Sequence, residues 1–134
     1  MAANTQPIFK IALDAGGVQF TSADTTTKKT LITGNTGGNN AGTLVESINV
    51  CSNDTAAVNL AFYVNDGSTD FYIGNVAIPI GAGYTTVVLV EALRTLRPDL
   101  GFLTVKAGHV VKVNCVATMT AAKTVDICWQ GGSY

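Results

Sequence analysis

The chain has 134 residues, enough for one domain that buries roughly 65–70% of its unfolded surface without metal or disulfide staples. Hydrophobic residues make up 47% and charged residues only 13%, with a formal net charge of −1. The eight basic side chains are scattered, and Lys28-Lys29 is their one adjacent pair, which excludes a nucleic-acid role built on clustered cations.

A surface this poor in charge is weakly protected from association and points to extensive contact with other protein. No apolar run reaches the roughly 18 residues that span a bilayer, so no membrane partner is expected. The start, MAANTQPIFK, has neither a basic leader nor an apolar signal core, which predicts a protein made and kept soluble in the cytoplasm. Cys51, Cys115 and Cys128 are odd in number and lack CxxC spacing, against both a disulfide framework and zinc. Each lies in a strand-like run and reads as a small buried or half-buried hydrophobe.

Residues 1–6 form a polar arm without periodicity. A first strand is expected over 7–14, a turn at Gly16-Gly17, and a short strand over 18–21. The excursion 22–42 holds only two large aliphatics, Leu31 and Ile32, and reads as an exposed, mobile extended loop broken by a short strand at 30–33. Its GNTGGNNAG run lacks the lysine and following helix of a phosphate loop and opens a strand instead. The stretch 44–79 carries three apolar runs. In the middle one Val58, Leu60, Phe62 and Val64 share a parity opposite Asn59, Ala61 and Tyr63, the alternation of a half-buried strand. Asp66-Gly67 then turns the chain into a hairpin with 71–76.

Further on, 85–90 (TTVVLV) is continuous and β-branched, as in a strand buried on both faces or one at an interface. Val90, Leu93 and Leu96, spaced by three before Pro98, predict a short helical connection over 91–97 against a sheet edge. Strands follow over 102–105, 109–118 and 124–130, the last with Val125, Ile127 and Trp129 on one face. Eight to ten short strands at roughly ten-residue intervals describe an all-β fold, an antiparallel sandwich or barrel, as a single domain over 1–134.

No chemistry assembles from these residues, and no catalytic, cofactor or metal role is assigned. His109, the one histidine, has no GxSxG-type nucleophile motif to serve and reads as a polar turn residue. Asp66 and Asp70 bracket a hairpin loop without the spacing or terminal Glu of a calcium loop. Nothing brings Glu46 and Glu91 together as a glycosidase pair. Tyr63, Phe71, Tyr72, Tyr84 and Trp129 read as packing aromatics ahead of a sugar-stacking platform. The chain reads as a non-enzyme.

Five segments in this order, SINVCSNDTAAVNLAFYVND, DFYIGNVAIPIGAGY, VVLVEAL, FLTVKAGHVVKV and ATMTAAKTVDICWQGGSY, resemble a group of small structural proteins of tailed bacteriophages. The likeness covers 44–134 and omits the arm and the 22–42 excursion. It implies a jelly-roll type β-sandwich in a virion protein of the capsid decoration, or cement, type. It further implies a capsid-surface location, the major capsid protein as partner, and self-association as a homodimer or homotrimer. A tail, collar or fibre component and a carbohydrate-binding sandwich are the alternatives. The residues expected to meet the capsid lie in the arm and the excursion: Thr5, Gln6, Thr26, Lys28, Lys29, Asn35, Asn39 and Asn40.

Overall fold

The structure, a computed structural model, describes residues 12–37 and 41–133. In chain order the elements are β1 (Ala12–Thr21), a 3₁₀ turn (Ser22–Asp24), β2 (Lys29–Thr33), β3 (Gly42–Ser52), β4 (Val58–Asn65) and β5 (Asp70–Ile78). They continue with β6 (Val90–Glu91), α1 (Ala92–Leu96), β7 (Leu103–Lys106), β8 (Val110–Cys115) and β9 (Thr124–Ser133).

The strands form two antiparallel sheets. One runs β1-β9-β3-β6, with β7 also on β3, and the other runs β2-β8-β4-β5. Four pairings nest as a single long hairpin: β4 with β5, β3 with β6 and β7, β2 with β8, and β1 with β9. Rolling that hairpin adds β9 to β3 and β8 to β4. This is the jelly roll, with β6 and β7 sharing one strand position.

Side-chain alternation builds the core between the sheets. Val58, Leu60 and Phe62 of β4, Val111, Val113 and Cys115 of β8, and Val125, Ile127 and Trp129 of β9 are all buried. Those of β4 and β8 face Phe20, Val45, Ile48 and Val50 of the other sheet, to which the β9 residues also belong. The expected helical connection is α1. Its buried Ala92 and Leu93 pack against β3 and β5, closing the side of the sandwich where β6 is short. Glu91 caps it, the carboxylate oxygen Oε1 accepting from Leu93 N–H at 3.2 Å and from Ile48 N–H at 2.9 Å.

Three segments differ from expectation. Gly16-Gly17 is no turn: β1 runs straight through it, paired with β9 from Ala12↔Ser133 to Thr21↔Thr124. The glycines serve close approach instead. A Cβ at Gly16 would lie 2.8 Å from Trp129 Nε1, and one at Gly17 would lie 2.7 Å from the Ile127 carbonyl oxygen. Of the strand expected over 7–14, positions 7–11 lie outside the described residues.

The run 85–90 is not a strand except for Val90, which pairs with Val50. Thr85 to Leu89 lie exposed in the β5–β6 loop. Positive φ values at Gly81 (71°) and Gly83 (78°) turn the chain out of extension there.

The 22–37 part of the excursion is more firmly held than its composition suggests. Asp24 accepts from Thr21 N–H at 2.8 Å, β2 pairs with β8, and Leu31 and Ile32 enter the core. Gly34 packs so closely on the Lys106 carbonyl that a side chain would have no room. Among the described residues no helix is long and apolar enough to cross a membrane.

Candidate functional site

Four of the residues expected to contact a partner lie within the described chain, and they do not form one patch. Lys28 Nζ donates to Asp70 Oδ2 at 2.8 Å and sits 3.9 Å over the Tyr63 ring. The paired Asp70 carboxylate, above all, raises the Lys28 pKa; Lys28, with Asn65, holds the Asp70 carboxyl below its ordinary range. Lys29 Nζ donates to the Gln19 carbonyl at 2.6 Å and lies 3.0 Å from Asp24 Oδ2. Asn35 N–H donates to Thr43 Oγ1 at 3.0 Å, and the Thr26 carbonyl accepts from Asn114 Nδ2 at 3.1 Å. Through the Lys28 and Lys29 side chains and the Thr26 and Asn35 backbone, these contacts hold the excursion onto the sandwich. Thr5, Gln6, Asn39 and Asn40 lie outside the described residues.

The other candidates are dispersed. Tyr63 and Tyr72 meet at 5.7 Å on the outer face of the β2-β8-β4-β5 sheet, whereas Tyr84 lies on the opposite sheet and Trp129 in the core. Glu91 is committed to capping α1. Asp66 Oδ1 accepts from Ser68 and Thr69 N–H groups at 3.0 and 2.8 Å, which makes it a turn residue. His109 lies half-buried in the β7–β8 turn, where its backbone N–H donates to the Lys106 carbonyl. Among the described residues no group of three or more His, Cys, Asp or Glu could hold a metal ion.

What the fold does assemble is an outer face on the β1-β9-β3-β7 sheet. Register sets its rows: Gln19, Asp126 and Cys51; Gly17, Cys128 and Asn49; Ala15, Gln130 and Ser47; and Leu13, Gly132, Leu44 and Thr104. Most of these side chains are small and uncharged, so the face is flat. Cys128 is exposed, unlike the buried Cys115 and half-buried Cys51, and all three thiols are free.

Apolar side chains flank the face at both ends. At one end Leu13, Leu100 and Phe102 are exposed, and Leu44, Gly101, Phe102 and Thr104 line a shallow depression with Glu46. At the other end stands the β5–β6 loop, which exposes Ile80, Tyr84, Val87, Val88 and Leu89, with Val88 at 79%.

The loop is held by its own hydrogen bonds. Gly83 N–H donates to the Val87 carbonyl at 2.8 Å, Thr85 N–H to Gly81 at 3.1 Å, and Ser52 N–H to the Ala82 carbonyl at 2.9 Å. Tyr84 OH donates to Asp126 Oδ2 at 2.9 Å and anchors the loop to the face. The accepting carboxylate pushes the Tyr84 pKa upward. Asp126 Oδ1 accepts from Gln19 Nε2 at 2.7 Å, so its charge is spent within the face.

One sequence signal could have pointed here: the 20 positions 71–90 carry no charged side chain. A core strand would explain five or six of those positions, not all of them. A scan against protein-family models, a search of curated proteins and a search of solved structures each found no match.

Proposed function

We propose that this chain is a structural virion protein that binds the outer surface of a phage capsid and bridges major capsid protein subunits. The resemblance over 44–134 supplies the capsid, and a β-sandwich accommodates many functions, so the surface must carry the rest. The observation that carries it is the ordered, charge-free β5–β6 loop standing beside a flat, small-residue sheet face.

Exposed apolar groups gathered on a stable surface mark protein contact. The sheet face measures roughly 15 by 20 Å from strand spacing and rise. A lasting interface uses about 800 Å² per partner, so the face alone is too small. The apolar loop and the Leu44–Phe102 depression extend it toward that size. Because the loop is already ordered, docking loses little conformational entropy. Contacts of this kind, repeated over a symmetric shell, hold it by number.

The test adds purified chain to undecorated capsids assembled from the major capsid protein of the same phage. Saturable decoration and a raised thermal disruption temperature are expected. Val88→Asp, at a side chain 79% exposed in the free chain, is expected to fold normally and to lower capsid affinity at least tenfold. Equal occupancy by Val88→Asp and wild type would remove the loop from the contact, and absence of decoration would reject the capsid reading.

A further inference from the structure

We propose that the 13–17 half of the β1 edge is a pairing edge for a second copy of this chain. β1 bonds β9 on one side and ends the sheet on the other. In an antiparallel strand, alternate residues turn both backbone polar groups to the same side. Two contacts identify the side facing away from β9: the Gln19 carbonyl accepts from Lys29 Nζ at 2.6 Å, and Thr21 N–H donates to Asp24 Oδ2 at 2.8 Å. The odd-numbered residues therefore present their N–H and C=O groups to the free edge. At 19 and 21 the chain's own side chains cover that edge.

At 13, 15 and 17 no described residue bonds to the edge, apart from one local contact in which Ala15 N–H donates to Asp14 Oδ1 at 2.9 Å. Proteins blunt unused edges with proline, lysine, bulges or inward charges. Along β1 there is no proline, lysine or bulge, and the one charge, Asp14, is a single device on the inward parity.

The occupant is a second copy because the edge complements itself. A two-fold axis at Ala15 sets Leu13 against Gly17 of the second copy, Ala15 against Ala15, and Gly17 against Leu13. Leu13 is 91% exposed, and it meets a residue without a side chain at both ends of the pairing. On the other face Asp14 lies opposite Gly16, which the Trp129 indole covers, and pairing requires the Asp14 carboxylate to release Ala15 N–H. Three residue pairs then exchange backbone hydrogen bonds, and the two β1-β9-β3 sheets become one. The segment is short against a standard interface, so the dimer is weak, with a Kd on the order of tens of micromolar. The pairing does not depend on the capsid reading. If that reading holds, the dimer presents two contact faces side by side.

Sedimentation velocity of the full chain, from about 1 µM to about 1 mM, tests it. Wild type is expected to pass from monomer to dimer. Ala15→Pro removes an N–H that faces away from β9, and Leu13→Arg places a charge at each end of the pairing, opposite Gly17 of the second copy. Both are expected to associate at least tenfold more weakly than wild type, with wild-type circular dichroism. Should Ala15→Pro fail to fold, Leu13→Arg decides alone. A wild type that stays monomeric throughout, or variants that associate as wild type does, would overturn the proposal. The measurement involves no capsid, so its failure leaves decoration to be judged separately.

Discussion

Asp54→Ala is expected to destabilise the sandwich by about 3–5 kcal/mol, because one buried carboxylate ties two chain reversals together. Asp54 is 2% exposed. Its Oδ1 accepts from Ala56 N–H at 3.0 Å and its Oδ2 from Thr120 N–H at 3.1 Å. The first bond shapes the β3–β4 turn, and the second reaches the β8–β9 turn. Each hydrogen bond to a charged acceptor is worth about 1.5–3 kcal/mol, and alanine leaves two partly buried donors without a partner. For a domain of this size that lowers Tm by roughly 10–20 °C. Asp54→Asn keeps one acceptor but sets an amide N–H₂ against a donor, so about half the loss is expected. Burial raises the Asp54 pKa, but the hydrogen bonds from Thr120, Ala56 and Thr55 outweigh it, and the carboxyl is held below its ordinary 3.8. Because the folded-state pKa is depressed, this stabilisation is fully present above the unfolded-state value and is lost as pH falls through the folded-state pKa. Wild type and Asp54→Asn should therefore converge in stability on acidification below about pH 4. Urea unfolding followed by the fluorescence of Trp129, the sole tryptophan, measures all of this. A loss below about 0.5 kcal/mol for Asp54→Ala at neutral pH would refute the staple.

Gly16→Leu is expected to cost about 1–3 kcal/mol by overpacking against the indole, with a red-shifted Trp129 emission; an unshifted spectrum would mean that the indole does not occupy the space over Gly16. The three thiols should react with a disulfide reagent in the order Cys128, then Cys51, then Cys115. Burial pushes Cys115 up to about 11, so it should react only on unfolding. Prompt labelling of two or more thiols at equal rates would contradict the exposure differences.

The core was legible because alternation is a local signal with a global meaning. Val58, Leu60 and Phe62, or Val125, Ile127 and Trp129, can bury one face only as strands, and β4 and β9 do so. The Asp66-Gly67 turn and the short helix before Pro98 were legible for the same reason: their chemistry is written in adjacent residues. Gly16-Gly17 was not. A glycine pair that turns the chain and a glycine pair that lets another strand approach read identically until Trp129, more than a hundred residues away, is placed opposite it. The excursion misled by composition in a similar way. Two aliphatics seemed too few to order it, yet Lys28 and Lys29 fasten it through Asp70, Asp24 and the Gln19 carbonyl.

The proposed contact surface was the least legible part, and the reason lies in what hydrophobicity encodes. An apolar run states that its side chains leave water in the final state, but not whether they do so on folding or on binding. TTVVLV satisfies either outcome. What separates them is outside the run: Gly81 and Gly83 take the chain out of extension, and β3 is already paired at that end with Val90 and Glu91. With no strand to join, the loop closes on itself and keeps Val88 and Leu89 outward. Ordinary surface loops of this length carry charge to stay soluble, and this one carries none. A loop that is both ordered and uncharged has already lost its conformational freedom on folding and still has its apolar area to bury. That combination favours a partner over a solvated role, and it is why Val88→Asp should separate binding from folding.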